Sequence, residues 1–247
     1  MLSIPSNQRK TLDELNRIPI TERGERSDRW QGVQHGELVS RIFNQANYLG
    51  LNVKSHDFGV SEDSADLFGD ITFAPSKFLG DAPNGTALEL GIRHSNASRF
   101  SITFVTGLRV FICSNGIVIG EYVLRRKHTC GIELDDEIRK GLLNFMHQTK
   151  SAYSFVEGLK NTQATENRVN RLLTNIGREQ ILPWSHIGYV DAEYRNPSHD
   201  EFKPRTMFSL YNAFTEIAKR RNPTEQHKTI GLLKPHFDKE LNIAVAS

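Results

Sequence analysis

The chain has 247 residues with 31 Lys+Arg against 29 Asp+Glu, a formal net charge of +2, and 38% hydrophobic and 24% charged residues. That length can bury a self-sufficient core without disulfide or metal staples, and the composition is too apolar for general disorder. No apolar run reaches the ~18–20 residues of a bilayer span and the opening MLSIPSNQRK lacks a secretory apolar block, so a cytoplasmic location is expected; near-neutral charge makes any polyanion-binding surface a local feature.

Thr11 and Glu14 have capping-box spacing ahead of Leu15 and Ile18, which predicts a short helix ended by Pro19. The polar TERGERSDRW that follows reads as an arm or loop. In HGELVSRIFNQANYLGL, Leu38, Val39, Ile42, Phe43, Ala46 and Leu49 recur at helical spacing, and Gly50 sits where a helix C-terminus favours it. Three β-like runs come next: LNVKSHDFGVS and ADLFGDITFAP around the acidic turn SEDS, then TALELGIRH after PNG. FSITFVTGLRVFICS and IVIGEYVLRRKHT flank Asn115-Gly116, a dipeptide suited to a type I′ hairpin turn.

Past Glu133 the periodicity becomes helical. Four acids open a segment whose Leu134, Ile138, Leu142, Phe145, Thr149, Tyr153 and Val156 form one stripe. A second helix is expected over 163–176, and ILPWSHIGYVDAEYRNPSHDEFKPR reads as looser chain. A further helix, MFSLYNAFTEIAKRR, shares Phe208, Tyr211, Phe214 and Ile217 on one face and stops at Asn222-Pro223. The expected fold class is α+β: an antiparallel β-meander of about five strands packed by N-terminal and C-terminal helices. Its parts would be an arm with a short helix over 1–30, a single domain over 31–223 and a tail over 224–247.

With a two-residue turn at Asn115-Gly116, partner numbers sum to 231, placing Arg109 opposite Tyr122, Val105 opposite Arg126 and Thr103 opposite His128. One face would be core, with Phe100, Ile102, Phe104, Leu108, Val110 and Ile112. The other would expose Ser101, Thr103, Arg109, Tyr122, Arg126 and His128, the cation-plus-aromatic composition that tracks phosphates and stacks a base. Arg125 and Lys127 would then fall on the core side, unless the hairpin bends away or a bulge near Gly120 changes the register. Arg93, His94 and Arg99 would extend the groove. Half-exposed cations on a sheet also serve plain solvation and edge protection.

Chemistry is less legible. None of the nine histidines forms an HxH, HExxH or HxxxH pair and the two cysteines form no CxxC. In the expected register Cys113 and Cys130 lie about 40 Å apart, too far for a disulfide. His56, Asp57, His94 and His128 would form a metal cluster only if their strands converge, and Asp57, Asp70 and Glu89 are the strand-borne acids a nuclease could use, without the lysine two residues after the glutamate. Phosphate-loop, dinucleotide and GxSxG motifs are absent, which disfavours nucleotide hydrolysis and hydride chemistry.

Several stretches together, HGELV at 35–39, DLFG at 66–69, RHSN at 93–96, TGLRVFICSNG at 106–116, RRKHT at 125–129, SHDEF at 198–202 and SLYNAFTEIAKRRNP at 209–223, resemble a family of uncharacterised phage, prophage and plasmid proteins. The resemblance implies a mobile-DNA context and carries over no catalytic residues; at RHSNAS the order of His and Asn departs from it. By analogy of fold alone, sheet and helices together resemble single-strand annealing proteins of phage recombination. The resulting expectation is a non-enzymatic nucleic-acid-binding accessory protein without a cofactor, acting on single-stranded DNA in recombination or replication. Arg93, His94, Arg99, Arg109, Tyr122, Arg125, Arg126, Lys127 and His128 would form its interface. A protein-interaction module directed at a host defence protein, docking through the SLYNAFTEIAKRR stripe or the sheet, is the alternative; a metal-dependent nuclease ranks third. Self-association is a further partner option, and no membrane partner is expected.

Overall fold

The structure, a computed structural model, describes residues 8–20, 30–97, 99–110, 116–127 and 133–242, with backbone alone for 116–122, 223, 224 and 227. The Thr11 capping box forms as expected, the Thr11 hydroxyl accepting from the Glu14 amide while the Glu14 carboxylate accepts from the Thr11 amide, and it starts α1 (Leu12–Arg17). Ahead of it Arg9 bridges Gly59 in antiparallel fashion and the Lys10 amide donates to the Phe58 carbonyl at 2.9 Å. The apolar stripe of 38–46 builds α2 (His35–Tyr48), which is followed by Gly50 at φ 72°.

Five strands then succeed one another as an antiparallel meander: β1 (Val53–Val60), β2 (Asp66–Phe73), β3 (Thr86–Ser95), β4 (Ile102–Val110) and β5 (Gly116–Arg126). The acidic start of α3 (Leu134–Asn161) lies at the positive end of its dipole. α4 (Glu166–Arg178), α5 (Trp184–Arg195), a 3-10 turn at Asp200–Phe202, α6 (Met207–Ala218) and α7 (Pro223–Leu241) complete the described chain. The expected α+β architecture, helices flanking a five-stranded antiparallel sheet, is present.

Two elements depart from the sequence reading. α5 falls in the stretch expected to be looser, because it buries only Ile187, Val190 and Tyr194 and leaves Trp184 and Tyr189 exposed, so no clean apolar stripe marks it. The segment from Thr224 forms most of α7 instead of a tail: Asn222 caps the new helix by accepting from the Glu225 amide, and Pro223 takes its first position. The preceding helix has already ended at Ala218, so Asn222-Pro223 marks only the start of the next one.

Two cores meet on β4. Leu38 and Ile42 of α2, Phe58, Ile71, Leu90 and Phe104 of the sheet, and Ile138 and Phe145 of α3 form the first. Phe155, Leu173, Tyr211, Phe214 and Phe237 form the second among the later helices, joined there by Leu108 and Val110. The sheet core is tight enough to require Gly69, where a Cβ would lie 2.4 Å from Phe58 Cδ1 and 2.8 Å from the Asp57 carbonyl.

Candidate nucleic-acid interface

The register of β4 with β5 decides which cations share a face, and it differs from the expected one. Ile117 pairs with Leu108 and Gly116 with Arg109, so these residues belong to the strand and a two-residue Asn115-Gly116 turn is excluded; Asn115 itself lies outside the described residues. Arg109 therefore faces Gly116, not Tyr122; Val105 faces Tyr122, not Arg126; and Thr103 faces Arg125, not His128. The register shifts between Phe104 and Gly107 insert extra β5 residues on both sides of Tyr122, a span that includes Gly120, where the sequence allowed a bulge.

The shift reverses the parity of the basic run. Arg125 stands with Thr103 on the far face, opposite the helices, whereas Arg126 pairs with Ile102 on the α3 side and lies 3.7 Å from the Glu137 carboxylate. One rung crosses the far face as Gly59, Phe68, Arg93, Thr103 and Arg125, each the register partner of the next. The Arg93 guanidinium lies over the Phe100 ring at 4.3 Å, and Phe100 packs on Phe68 at 5.9 Å. Phe100, expected in the main core, thus belongs to this far-face cluster. Arg125, Arg126 and Lys127 are exposed as the strand ends.

The remaining candidates are not gathered there. Arg99 is held by two carboxylates, Asp66 at 2.9 Å and Asp63, which raises its pKa and depresses that of Asp63; it ties the β1–β2 turn to the β3–β4 turn. His94 is fully buried on the helix side, its Nε2–H shared between the Val33 carbonyl at 2.8 Å and Asn96 Oδ1 at 3.0 Å, with its ring against His35. Arg109 is half-buried beside acids described below. His128 and the Tyr122 side chain lie outside the described residues. The middle of the far face is also buried, Val105 being 3% and Glu89 4% exposed. An exposed groove running along the hairpin is thereby replaced by a basic patch at one end of the sheet. The acidic turn SEDSAD supplies both carboxylates that neutralise Arg99.

Asp57, Asp70 and Glu89 do share the far face. Asp57 pairs with Asp70, Thr72 pairs with Glu89, and Asp70 and Glu89 are diagonal neighbours, with Arg109 diagonal to Glu89 on β4. Asp57 is engaged by Arg9 at 3.3 Å. Burial and the Glu89 carboxylate push the Asp70 carboxyl up to about 8, with Arg109 opposing and Asp57 adding. Asp70 is 1% exposed, and neither of its oxygens has a hydrogen-bond partner among the described residues, so the protonated form is the one the site favours. The proposed His56–Asp57–His94 grouping does not form: His56 stacks on Phe58, and His56 and His94 oppose β2 positions four residues, about 13 Å, apart. Among the described residues no three His, Cys, Asp or Glu side chains could hold a metal ion.

Fold and site together define an α+β chain whose basic patch lies at the end of an antiparallel meander. Compared with known protein families, curated proteins and solved structures, the chain matches none. No described helix is long and apolar enough to cross a membrane.

Proposed function

We propose that the protein binds a polyanion through the end of the sheet, single-stranded DNA being the favoured ligand. The observation that carries this reading is the run Arg125, Arg126 and Lys127, exposed where β5 ends, together with Arg93 in the same cross-strand rung as Arg125. Neighbouring strands lie ~4.8 Å apart, so Arg93 and Arg125 stand two strands, ~10 Å, from each other, a spacing that one flexible sugar–phosphate chain can follow. Phe100, half-buried under Arg93, adds an aromatic edge beside the cations.

The interface is smaller than the sequence alone suggests, with Arg99 and His94 in structural roles. Of the two docking surfaces considered for a host protein, the α6 stripe is unavailable: Tyr211, Phe214 and Ile217 are buried. The nuclease reading finds no converging metal donors among the described residues.

Fluorescence anisotropy on a labelled 20-nucleotide single strand, across a salt series, tests the proposal. Binding should weaken steeply with salt, and Arg125→Ala/Arg126→Ala/Lys127→Ala should flatten the log–log slope by about 2, from ~0.7 per lost phosphate contact. No binding at low salt, or an unchanged slope in the triple variant, refutes it.

A further inference from the structure

β1 forms one edge of the sheet, and its outward side is only partly occupied. Towards its C-terminal end the chain's own residues lie along it: Arg9 bridges Gly59 in antiparallel fashion, and the Lys10 amide donates to the Phe58 carbonyl at 2.9 Å. Thr11 then caps α1 and the chain leaves the strand. The Phe58 carbonyl therefore points away from β2, and His56, two residues earlier, turns its amide and carbonyl the same way. Among the described residues neither group has a hydrogen-bond partner outside the sheet. The stretch is open to solvent, Val53 being 36% exposed and Lys54, Ser55 and His56 also exposed. A register shift between Val53 and Ser55 bounds it at its far end.

Beside this edge, on the helix side, lies an open cleft of about 640 Å³, lined by Phe43 and Asn47 of α2, by Leu51 and Asn52 of the connection, and by β1 from Val53 to His56. The His56 ring is fixed there, stacked on Phe58 at 5.1 Å and tilted against Phe43 at 5.4 Å. The backbone that carries it is thus already in strand geometry, and binding does not have to order it. An added strand meets both features at once: its N–H and C=O groups satisfy the edge, and its side chains at alternate positions point to the cleft. Two folded copies meeting edge to edge could pair no more than Val53–Asp57, because Arg9 and Lys10 take the rest. So short a ribbon falls below the ~1,000 Å² that a lasting contact between folded proteins buries, whereas a flexible segment can also fill the cleft.

We infer that the free edge of β1 at Ser55–Asp57, with the cleft between α2 and β1, is a docking site for an extended peptide segment of a partner protein. The segment adds as a strand and sets a bulky apolar side chain against Phe43 and Leu51. The edge already accepts a strand at Phe58 and Gly59, and the partner continues that pairing towards Val53. The site lies at the other end of β1 from the rung that joins Gly59 to Arg125, and it does not depend on the polyanion reading.

The probe is a heptapeptide of alternating Thr and Val with a central Phe, acetylated and amidated so that it carries no charge. In nitrogen-15-labelled protein the His56 amide should exchange rapidly in the absence of peptide, and should shift and become protected as the peptide is titrated. Methylating alternate peptide nitrogens should abolish binding in one phase, where the N–H groups that reach His56 are lost, and spare it in the other. His56→Pro deletes the outward amide and leaves the β1–β2 bonds in place; it should raise Kd by about 5- to 100-fold, the effect of leaving a peptide carbonyl without its donor. Asn47→Trp, at an exposed position, should weaken binding by filling the cleft. Thermal melting followed by circular dichroism shows that both variants keep the fold. Absence of any shift at millimolar peptide overturns the proposal, and so does equal binding of the two methylated forms. A wild type that is a dimer by light scattering and a monomer as His56→Pro assigns the edge to a second copy and overturns it too.

Discussion

Asp70 shows how one side chain can set a property of the whole sheet. An ordinary aspartate titrates near 3.8, but burial and the Glu89 carboxylate lift this one to about 8 in the folded chain. The folded state therefore holds a proton that the unfolded state has lost over the window from about 4 to 8. Its contribution to stability is complete below pH 4 and is lost as pH rises towards 8, at up to ~1.4 kcal/mol per pH unit. Asp70→Asn keeps the shape and removes the titration. Its melting temperature should match the wild type at pH 4 and exceed it increasingly up to pH 8, then hold a constant margin; parallel profiles across that range would show that Asp70 does not titrate as placed. Asp63 acts in the opposite sense. Held low by Arg99, its ion pair is present above the ordinary carboxylate range and fades in acid, which is why the comparison must be with the variant and not with the raw pH profile.

Between residues and fold lie the caps and bulges that end one segment and start another. Asn222 is a case where a sequence signal has two meanings. As the residue before Pro223 it reads as a helix stop, although α6 has already ended at Ala218; in the fold its side chain accepts from the Glu225 amide at 3.0 Å and opens α7. Asn222→Ala should cost about 1 kcal/mol, measurable as a shift in urea midpoint with an unchanged slope, whereas Asn222→Gly should cost only a few tenths. The β5 irregularities are the other such feature. Extra residues around Tyr122 transfer Arg125 to the far face and Arg126 to the α3 side, and the functional proposal depends on that transfer.

The two cores are joined through β4, with Ile102 and Phe104 in one and Leu108 and Val110 in the other. Unfolding should accordingly be cooperative across both. α7 supplies fully buried Leu233 and Phe237 to the helical core, with Phe237 against Tyr211 at 4.8 Å and Phe214 at 5.9 Å. Removing residues 224–247 should abolish a single sharp thermal transition; a truncated chain that melts as the full one does would show that this segment is an appendage after all. Losing two large buried side chains and the helix carrying them exceeds the stability margin of a typical domain.

Local signals carried most of the architecture. Periodicity in 38–49 and 134–156, the capping box at Thr11 and the alternation through the strands each depend on neighbours a few residues away, so the α+β meander was readable from the chain. α5 escaped because its exposed Trp184 and Tyr189 blur the stripe, and α7 because the helix break at Asn222-Pro223 hides a helix start. The faces of the sheet were not readable in the same way. A strand has period two, so the extra β5 residues that reverse the parity of Arg125 and Arg126 send every later side chain to the other surface, and no local composition reports them. Nor does Arg99 announce that Asp63 and Asp66, more than thirty residues earlier, will neutralise it. Which cations are exposed and which are consumed is a matter of distances through space, and those exist only once the sheet has assembled.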